Sequence, residues 1–271
     1  GELMNKEIIN KLSKMDKIVI CVSGGKDSSV LLWWAKKHLP VHKLVAVHAI
    51  IDIDWPQTKR VVKEQCRQAG IPLDFVQAQF ADGSEKGILS KLTAPRIDRK
   101  TGEAKENLWP DALNRWCTAE MKIAPIHKYV RSFSGKIGVL IGERRQESNQ
   151  RAKLKAWRPN EKLSKQGRVV VDCSPILDLK EDEIWSIINE NKIVKHPCYD
   201  WGVSRCSCAI CIFSKDSEIL IAKEKAPNLV DKILKAEKQI THTFRYKKAT
   251  KTRPAIKETI ADILKRLAKK I

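Results

Sequence analysis

The stretch Ile18-Val19-Ile20-Cys21-Val22-Ser23-Gly24-Gly25-Lys26-Asp27-Ser28-Ser29 decides the fold. Five apolar residues, Ile and Val in front, run directly into a polar glycine turn, and Val30-Leu31-Leu32-Trp33-Trp34-Ala35 then begins a helical pattern. A continuous apolar run of this kind suits a strand buried on both faces of a parallel sheet. Gly24 and Gly25 allow a sharp turn and a close approach of backbone to ligand. The amides that open the next helix have no partner within it, and the helix dipole makes that end positive. Strand, turn and helix start together predict an anion cradle. Lys26 adds a full charge, and Ser23, Ser28 and Ser29 add hydroxyls. The spacing is not that of a Walker A loop, and an ordinary strand–turn–helix is the alternative.

Outward from this stretch, Ile8, Ile9 and Leu12 give a first helix an apolar face. Residues 43–50 read as a second strand, ending in Asp52-Ile53-Asp54-Trp55-Pro56. A helix through Val61, Val62, Gln65 and Cys66 follows, and Leu73-Asp74-Phe75-Val76 is a third strand. The βαβαβ alternation predicts an α/β fold with a doubly wound, mostly parallel sheet. Residues 94–107 are polar, with Asp98-Arg99-Lys100-Thr101-Gly102 as a hairpin tip or mobile loop. A helix leads toward Tyr129. Strands are expected at 137–141 and 169–171, and a helix from Glu181 to Ile188. Beyond residue 213 the chain turns helical and basic, and Thr252 and Pro254 suit the cap and first turn of a last helix. The expected organisation is a nucleotide-binding domain over residues 1–213 and a helical basic region over 214–271.

Composition narrows the function classes. The chain has 271 residues and is 42% hydrophobic, enough for a sizeable core. No apolar run approaches the roughly 18 residues a membrane span requires, and no signal-peptide pattern is present, so a cytoplasmic protein without a membrane partner is expected. Lys and Arg number 52 against 32 acids, a net charge of +20. That excess points to a polyanion such as nucleic acid, against the alternative of a lysine-rich solvated surface. Eight cysteines without a secretion signal favour metal or catalytic use over disulfides. Cys21, Cys66 and Cys173 read as core residues.

Cys208-Ala209-Ile210-Cys211 has the CxxC spacing that points two thiolates at one centre. Cys117 is distant in sequence, but the fold can return it to the same sheet edge. The candidate metal ligands are Cys117, Cys198, Cys208 and Cys211, with Cys206 the alternative to Cys198. Iron–sulfur cluster, structural zinc and free thiols compete, and spacing alone does not separate iron from zinc. Gly142-Glu143-Arg144-Arg145-Gln146-Glu147-Ser148 and Arg151 follow a predicted strand, where arginine forks suit phosphate or sulfate; a surface ion-pair cluster with Glu143 and Glu147 is the alternative. Asp52 and Asp54 read either as ribose or magnesium ligands or as turn residues.

Ser-Gly-Gly-Lys-Asp-Ser resembles the pyrophosphate loop of the N-type ATP pyrophosphatases. Further pieces in order are Arg115-Trp116-Cys117-Thr118, Gly142 with Arg144, Glu147, Ser148 and Arg151, Pro175-Ile176 with Trp185, and His196-Pro197 through Cys208 and Cys211. Together they resemble the phosphoadenosine phosphosulfate reductase family of that superfamily, over most of residues 17–213, and imply an adenine nucleotide alpha hydrolase-like sheet. Two departures matter: no cysteine follows Cys211, where true sulfonucleotide reductases use a tail thiol, and the phosphate loop is intact where theirs is usually degenerate. Both lean toward the relatives that adenylate a nucleic acid and deliver sulfur through an iron–sulfur cluster. The resemblance implies ATP, Mg2+ and a cluster, 4Fe–4S by family type, as cofactors. It implies Lys26, Asp27 and Arg144 as catalytic residues, and Ser23, Gly24, Gly25, Lys26, Asp27, Ser28, Asp52, Gly142 and Arg151 as nucleotide contacts. Expected partners are a nucleotide, a nucleic acid, and a sulfur-donor protein, partner subunits or a second copy of the chain. A sulfonucleotide reductase and a non-enzymatic binding module with structural zinc are the alternatives.

Overall fold

The computed structural model describes residues 2–269. In chain order its elements are α1 (Glu2–Ser13), β1 (Lys17–Cys21), α2 (Lys26–His38), β2 (Leu44–Ala49), α3 (Thr58–Ala69), β3 (Leu73–Val76) and α4 (Ile88–Thr93). α5 (Trp116–Thr118), α6 (Ala124–Val130), β4 (Gly135–Leu140), α7 (Asn149–Ala152), β5 (Trp157–Pro159), β6 (Arg168–Cys173) and α8 (Glu181–Glu190) follow. The chain closes with α9 (Asp216–Lys225), α10 (Pro227–Glu237), β7 (Arg245–Lys247), β8 (Ile256–Glu258) and α11 (Ile260–Ala268).

Six strands form one sheet in the order β3-β2-β1-β4-β6-β5, parallel except for β5. Ile18, Val19 and Ile20 are fully buried because β1 is central and covered on both faces. Alternation sends Ile18 and Ile20 into the core under α2 and α8, and Val19 into the opposite core with Val47 and Val139. The chain winds outward from β1 through β2 to β3, then returns to the other side of β1 as β4. A crevice therefore opens between the carboxyl ends of β1 and β4, where open α/β sheets bind ligands. β5 was not expected from sequence: three residues ending in Pro159 carry no strand signal, and they pair only at the sheet edge, where proline is tolerated.

A second core lies beyond that edge. Ile51, Ile53 and Trp55, continuing from β2, pack there with Met121, Cys198, Ile210, and Ile219, Val230 and Ile263 of α9, α10 and α11. The amide of Ala209 donates to the Ile53 carbonyl at 2.9 Å, and Asp54 bridges Cys208. These contacts fix the CxxC segment to the sheet edge. The 94–107 segment is a hairpin, with Ile97 bridged to Ala104 and Gly102 at φ +72°.

The last helix begins later than the Thr252-Pro254 signal predicts. Residues 245–258 form an antiparallel β7–β8 hairpin, and α11 starts at Ile260. Thr259 is the actual cap: its Oγ1 accepts from the Asp262 amide at 3.0 Å while the Thr259 amide donates to the Asp262 carboxylate at 3.0 Å. That reciprocal pair satisfies two end amides at once. Ile256 lies in β8, and Ile260 and Ile263 of α11 are buried. Among the described residues, no helix is long and apolar enough to cross a membrane.

Candidate active site

The turn after β1 is held from within. Ser28 Oγ accepts from the Ser23 amide at 3.1 Å, donates to the Gly25 carbonyl at 3.1 Å, and lies 3.2 Å from Ser23 Oγ. Gly24 sits at φ +81°, a conformation that costs an L side chain dearly. Gln65 of α3 donates to the Gly24 carbonyl at 3.1 Å. Gly142, at the end of β4, closes the crevice: a Cβ there would stand 3.2 Å from the Ser28 amide nitrogen and 3.3 Å from the Asp27 carbonyl. Two chain segments 114 residues apart thus touch backbone to backbone where the winding reverses.

Lys26 is only 4% exposed. Its Nζ lies 3.4 Å from Asp27 and 3.5 Å from Glu181 at the start of α8, and 5.8 Å from the centre of the Tyr199 ring. Its amide, one of the orphan donors at the α2 start, donates to the Tyr199 hydroxyl at 2.8 Å. Asp27 accepts from Arg144 Nε at 2.5 Å, and Arg144 is 3% exposed. Arg144 also donates to Gln146 at 2.9 Å, which accepts from the Glu181 amide at 2.9 Å. Glu147 gathers Arg151, Arg205 at 3.0 Å and the Arg144 amide at 2.9 Å. The arginine segment is therefore both of the things its sequence allowed: a guanidinium facing the phosphate loop and an ion-pair cluster. Arg145 turns away to Asp178.

The thiols form two neighbouring groups. The Cys198 and Cys206 sulfurs lie within 4.8 Å of each other, and this proximity lowers the pKa of the Cys198 thiol and raises that of the Cys206 thiol. His196, Cys198 and Cys206 place their ligand atoms within 4.8 Å of one another. His196 is not a free ligand, however. Its Nδ1 accepts from the Cys198 amide at 3.1 Å and its Nε2 faces Thr58 Oγ1 at 3.2 Å, so both ring nitrogens are engaged. This pair lies beside the phosphate loop: a Cβ on Gly25 would sit 3.6 Å from the Cys206 Cβ and 3.3 Å from the Tyr199 hydroxyl.

The second group is Cys117, Cys208 and Cys211, set around Lys122 and Asp54. A π turn over Ala119–Ile123 follows α5, and its i to i+5 period swings Lys122 back toward Cys117. Burial opposes the Lys122 charge, but Cys208, Asp54, Cys211 and Cys117 more than offset it and hold its pKa up. Burial raises Cys208, against the pull of Lys122, and raises Asp54 to about 6. A half-buried cation among thiols fits a thiolate-held metal or cluster, whose ligands must lose their protons.

Of the residues expected from sequence, the structure brings together Ser23, Gly24, Gly25, Lys26, Asp27, Ser28, Gly142, Arg144 and, through Glu147, Arg151. Asp52 stands in the turn role: its two oxygens accept from the Ile88 and Leu89 amides at 2.7 and 2.9 Å and cap α4. The four metal candidates do not form one tight set. Cys198 pairs with Cys206, which makes Cys206 as close to the site as Cys198. Sequence reasoning missed Tyr199, Glu181, Arg205, Lys122 and the hydrogen bonds of His196 to Cys198 and Thr58. Tyr199 and Arg205 lay inside strings already singled out, but nothing local marks their reach to Lys26 and Glu147. As expected, Cys66 and Cys173 are buried. Burial, with Asp172 and Glu143 nearby, also pushes Cys21 up to about 12.

Among solved structures, the chain is similar to a phosphoadenylyl-sulfate reductase from Candida auris in complex with phosphate, at 16% identity and TM-score 0.52, over 76% of this chain and 93% of that one. It also resembles a U34-tRNA thiolase from Methanococcus maripaludis with its 4Fe–4S cluster, at 15% identity and TM-score 0.47, over 88% of this chain and 78% of that one. Among curated proteins, an uncharacterized protein of Methanocaldococcus jannaschii is 27% identical over 244 residues, 84% of this chain and 53% of that relative. The chain thus spans about half the length of the curated relative it matches. Residues 17–213 match the phosphoadenosine phosphosulfate reductase domain, and with the crevice, loop and thiols in place the chain belongs to that family.

Proposed function

We propose that the protein is an ATP-dependent adenylating sulfurtransferase acting on a nucleic acid or nucleotide acceptor. One observation carries this reading: the phosphate loop and the thiols share one sheet edge, and the Tyr199 hydroxyl, one residue from Cys198, touches the Lys26 amide at 2.8 Å. A site that cleaves a nucleotide and a site that handles sulfur need to be this close only when one reaction uses both.

The loop amides and Lys26 hold the β- and γ-phosphates. An acceptor oxygen attacks the α-phosphorus, the bond to the β-phosphate oxygen breaks, and pyrophosphate leaves with the negative charge. Lys26 and the α2 amides would stabilise that charge, the Lys26 amide exchanging the Tyr199 hydroxyl for a phosphate oxygen. Arg144, fixed by Asp27 and Gln146, would contact the nucleotide phosphates, and Mg2+ bound with the nucleotide would supply further charge neutralisation. Cys117, Cys208 and Cys211, with Cys198 or Cys206, would hold an iron–sulfur cluster. Bound there, it would supply sulfur binding and activation. Lys122 offsets the charge of the thiolates around it.

A second reading, a sulfonucleotide reductase, is favoured by the Cys198–Cys206 pair. Closing their disulfide would release two electrons for reduction of a sulfonucleotide to sulfite. The deciding experiment is anaerobic purification with iron, sulfide and zinc analysis, followed by assays for pyrophosphate and sulfite. Iron and sulfide in similar amounts, with pyrophosphate release that is lost in Lys26→Ala, are the expected result. Sulfite without pyrophosphate would move the assignment to the reductase.

A further inference from the structure

A groove of about 1430 Å³ opens against the second core. One wall is the 106–113 segment, tied to the chain before β7. Glu106 accepts from Thr241 Oγ1 at 2.6 Å, and the Trp109 amide donates to His242 at 3.1 Å. The opposite side is the 212–216 turn and the β7–β8 hairpin.

Three observations describe what this groove accepts. First, its acids are already occupied. Asp216 binds Arg245 at 2.6 Å and Arg266 at 2.8 Å, Glu258 binds Arg266 at 2.7 Å, and Asp111 takes the Leu113 and Asn114 amides at 2.7 Å. Lys248 and Lys257, by contrast, have no carboxylate within ion-pair distance among the described residues. Second, the hairpin carries six basic residues and no acid between Arg245 and Lys257. Third, two flat aromatic rings stand open at the groove, Phe213 at 58% and Tyr246 at 53% exposure. The Arg115 guanidinium lies 5.4 Å from the Phe213 ring centre and the Lys257 ammonium 5.9 Å from that of Tyr246. Open aromatic faces flanked by cations suit successive bases with their phosphates.

We propose that this groove binds a single-stranded nucleic acid, with bases stacked on Phe213 and Tyr246 and phosphates on Lys248, Lys257 and Arg115. The placement deepens the sulfur-transfer reading and rests on it for its purpose. Phe213 is two residues from Cys211, about 7 Å of chain. A strand stacked on Phe213 therefore carries its neighbouring nucleotide to the thiols.

The test is fluorescence anisotropy of the full chain with labelled 12-nucleotide single-stranded RNA and DNA, the matching duplex, and polyglutamate, without ATP. Both rings are more than half exposed, so Phe213→Ala and Tyr246→Ala should fold; thermal melts check this. Each is expected to weaken strand binding about tenfold or more. Lys248→Glu with Lys257→Glu should weaken it and flatten its salt dependence. Single strands should bind tighter than duplex. Strand affinity unchanged within twofold in both aromatic variants overturns the proposal. So does equal or tighter binding of duplex, or polyglutamate binding that matches the strand's, which would assign the groove to an acidic protein. Strand binding is read without ATP and pyrophosphate release with it, so failure of the groove and failure of ATP cleavage are scored in separate assays.

Discussion

At the scale of single residues, the Lys26 amide and Gly142 bear most directly on the site. The amide at the start of α2 is buried and has one acceptor, the Tyr199 hydroxyl. Tyr199→Phe keeps the ring and removes that acceptor. A buried donor left without a partner costs about 1–3 kcal/mol, so the ligand-free variant should melt lower. Adding pyrophosphate, whose oxygens can take the same amide, should restore more stability to the variant than to the parent in a thermal-shift titration. Equal gains in both would place the phosphate elsewhere. Gly142 gives a second prediction. Its missing Cβ leaves room for the α2 backbone at 3.2–3.3 Å, and backbone cannot yield as a flexible side chain can. Gly142→Ala should weaken ATP binding at least tenfold by calorimetry while leaving the far-ultraviolet spectrum intact. The loop residues were legible in sequence because their chemistry is local, six consecutive residues after a strand. Tyr199, Arg205 and Lys122 were not, because each acts across a long loop that only the fold closes.

Whole elements show a different limit. The long apolar strands declared themselves, since β1, β2 and β4 are buried on both faces and need continuous hydrophobic runs. Short edge elements did not: β5, β7 and β8 have three residues each, and their pairing comes from neighbours rather than from their own pattern. Thr252-Pro254 looked like a helix start because caps are read locally, whereas Thr259 wins through its reciprocal bonds with Asp262. The C-terminal elements are joined by Asp216, which opens α9 and holds Arg266 of α11 and Arg245 of β7. Those arginines lower its pKa from 3.8 to about 2. A depressed carboxylate contributes stability that is complete above its unfolded value, near pH 4, and is lost as pH falls through about 2. Asp216→Asn should therefore raise hydrogen exchange in α11 and the hairpin at pH 7. It should also shrink the difference between variant and parent as pH drops from 4 toward 2. A difference that persists at pH 2 would mean the loss is packing rather than charge.

For the molecule as a whole, the doubly wound, mostly parallel sheet follows from the βαβ rhythm, and the crevice between β1 and β4 follows from the strand order the fold adopts. The second core does not follow from either. Its members are scattered from Ile51 to Ile263, and no periodicity within one element shows that α9, α10 and α11 close over the cysteine segment. That arrangement has a consequence for the proposed cluster. Cys198 is fully buried in this second core, whereas β1 and β4 belong to the cores on the two faces of the sheet. Ligands that bind only the folded state stabilise what they touch. Removing iron anaerobically with a chelator should therefore increase hydrogen exchange in the 198–211 segment, α5 and α9, and leave β1 and β4 protected. The expected order of loss is the cysteine segment first, the helices that cover it next, and the central strands last. If exchange rose uniformly through the sheet, the two cores would be one cooperative unit. If it rose nowhere, the thiols would hold no resident metal, and the sulfur chemistry would rest on the Cys198–Cys206 pair alone.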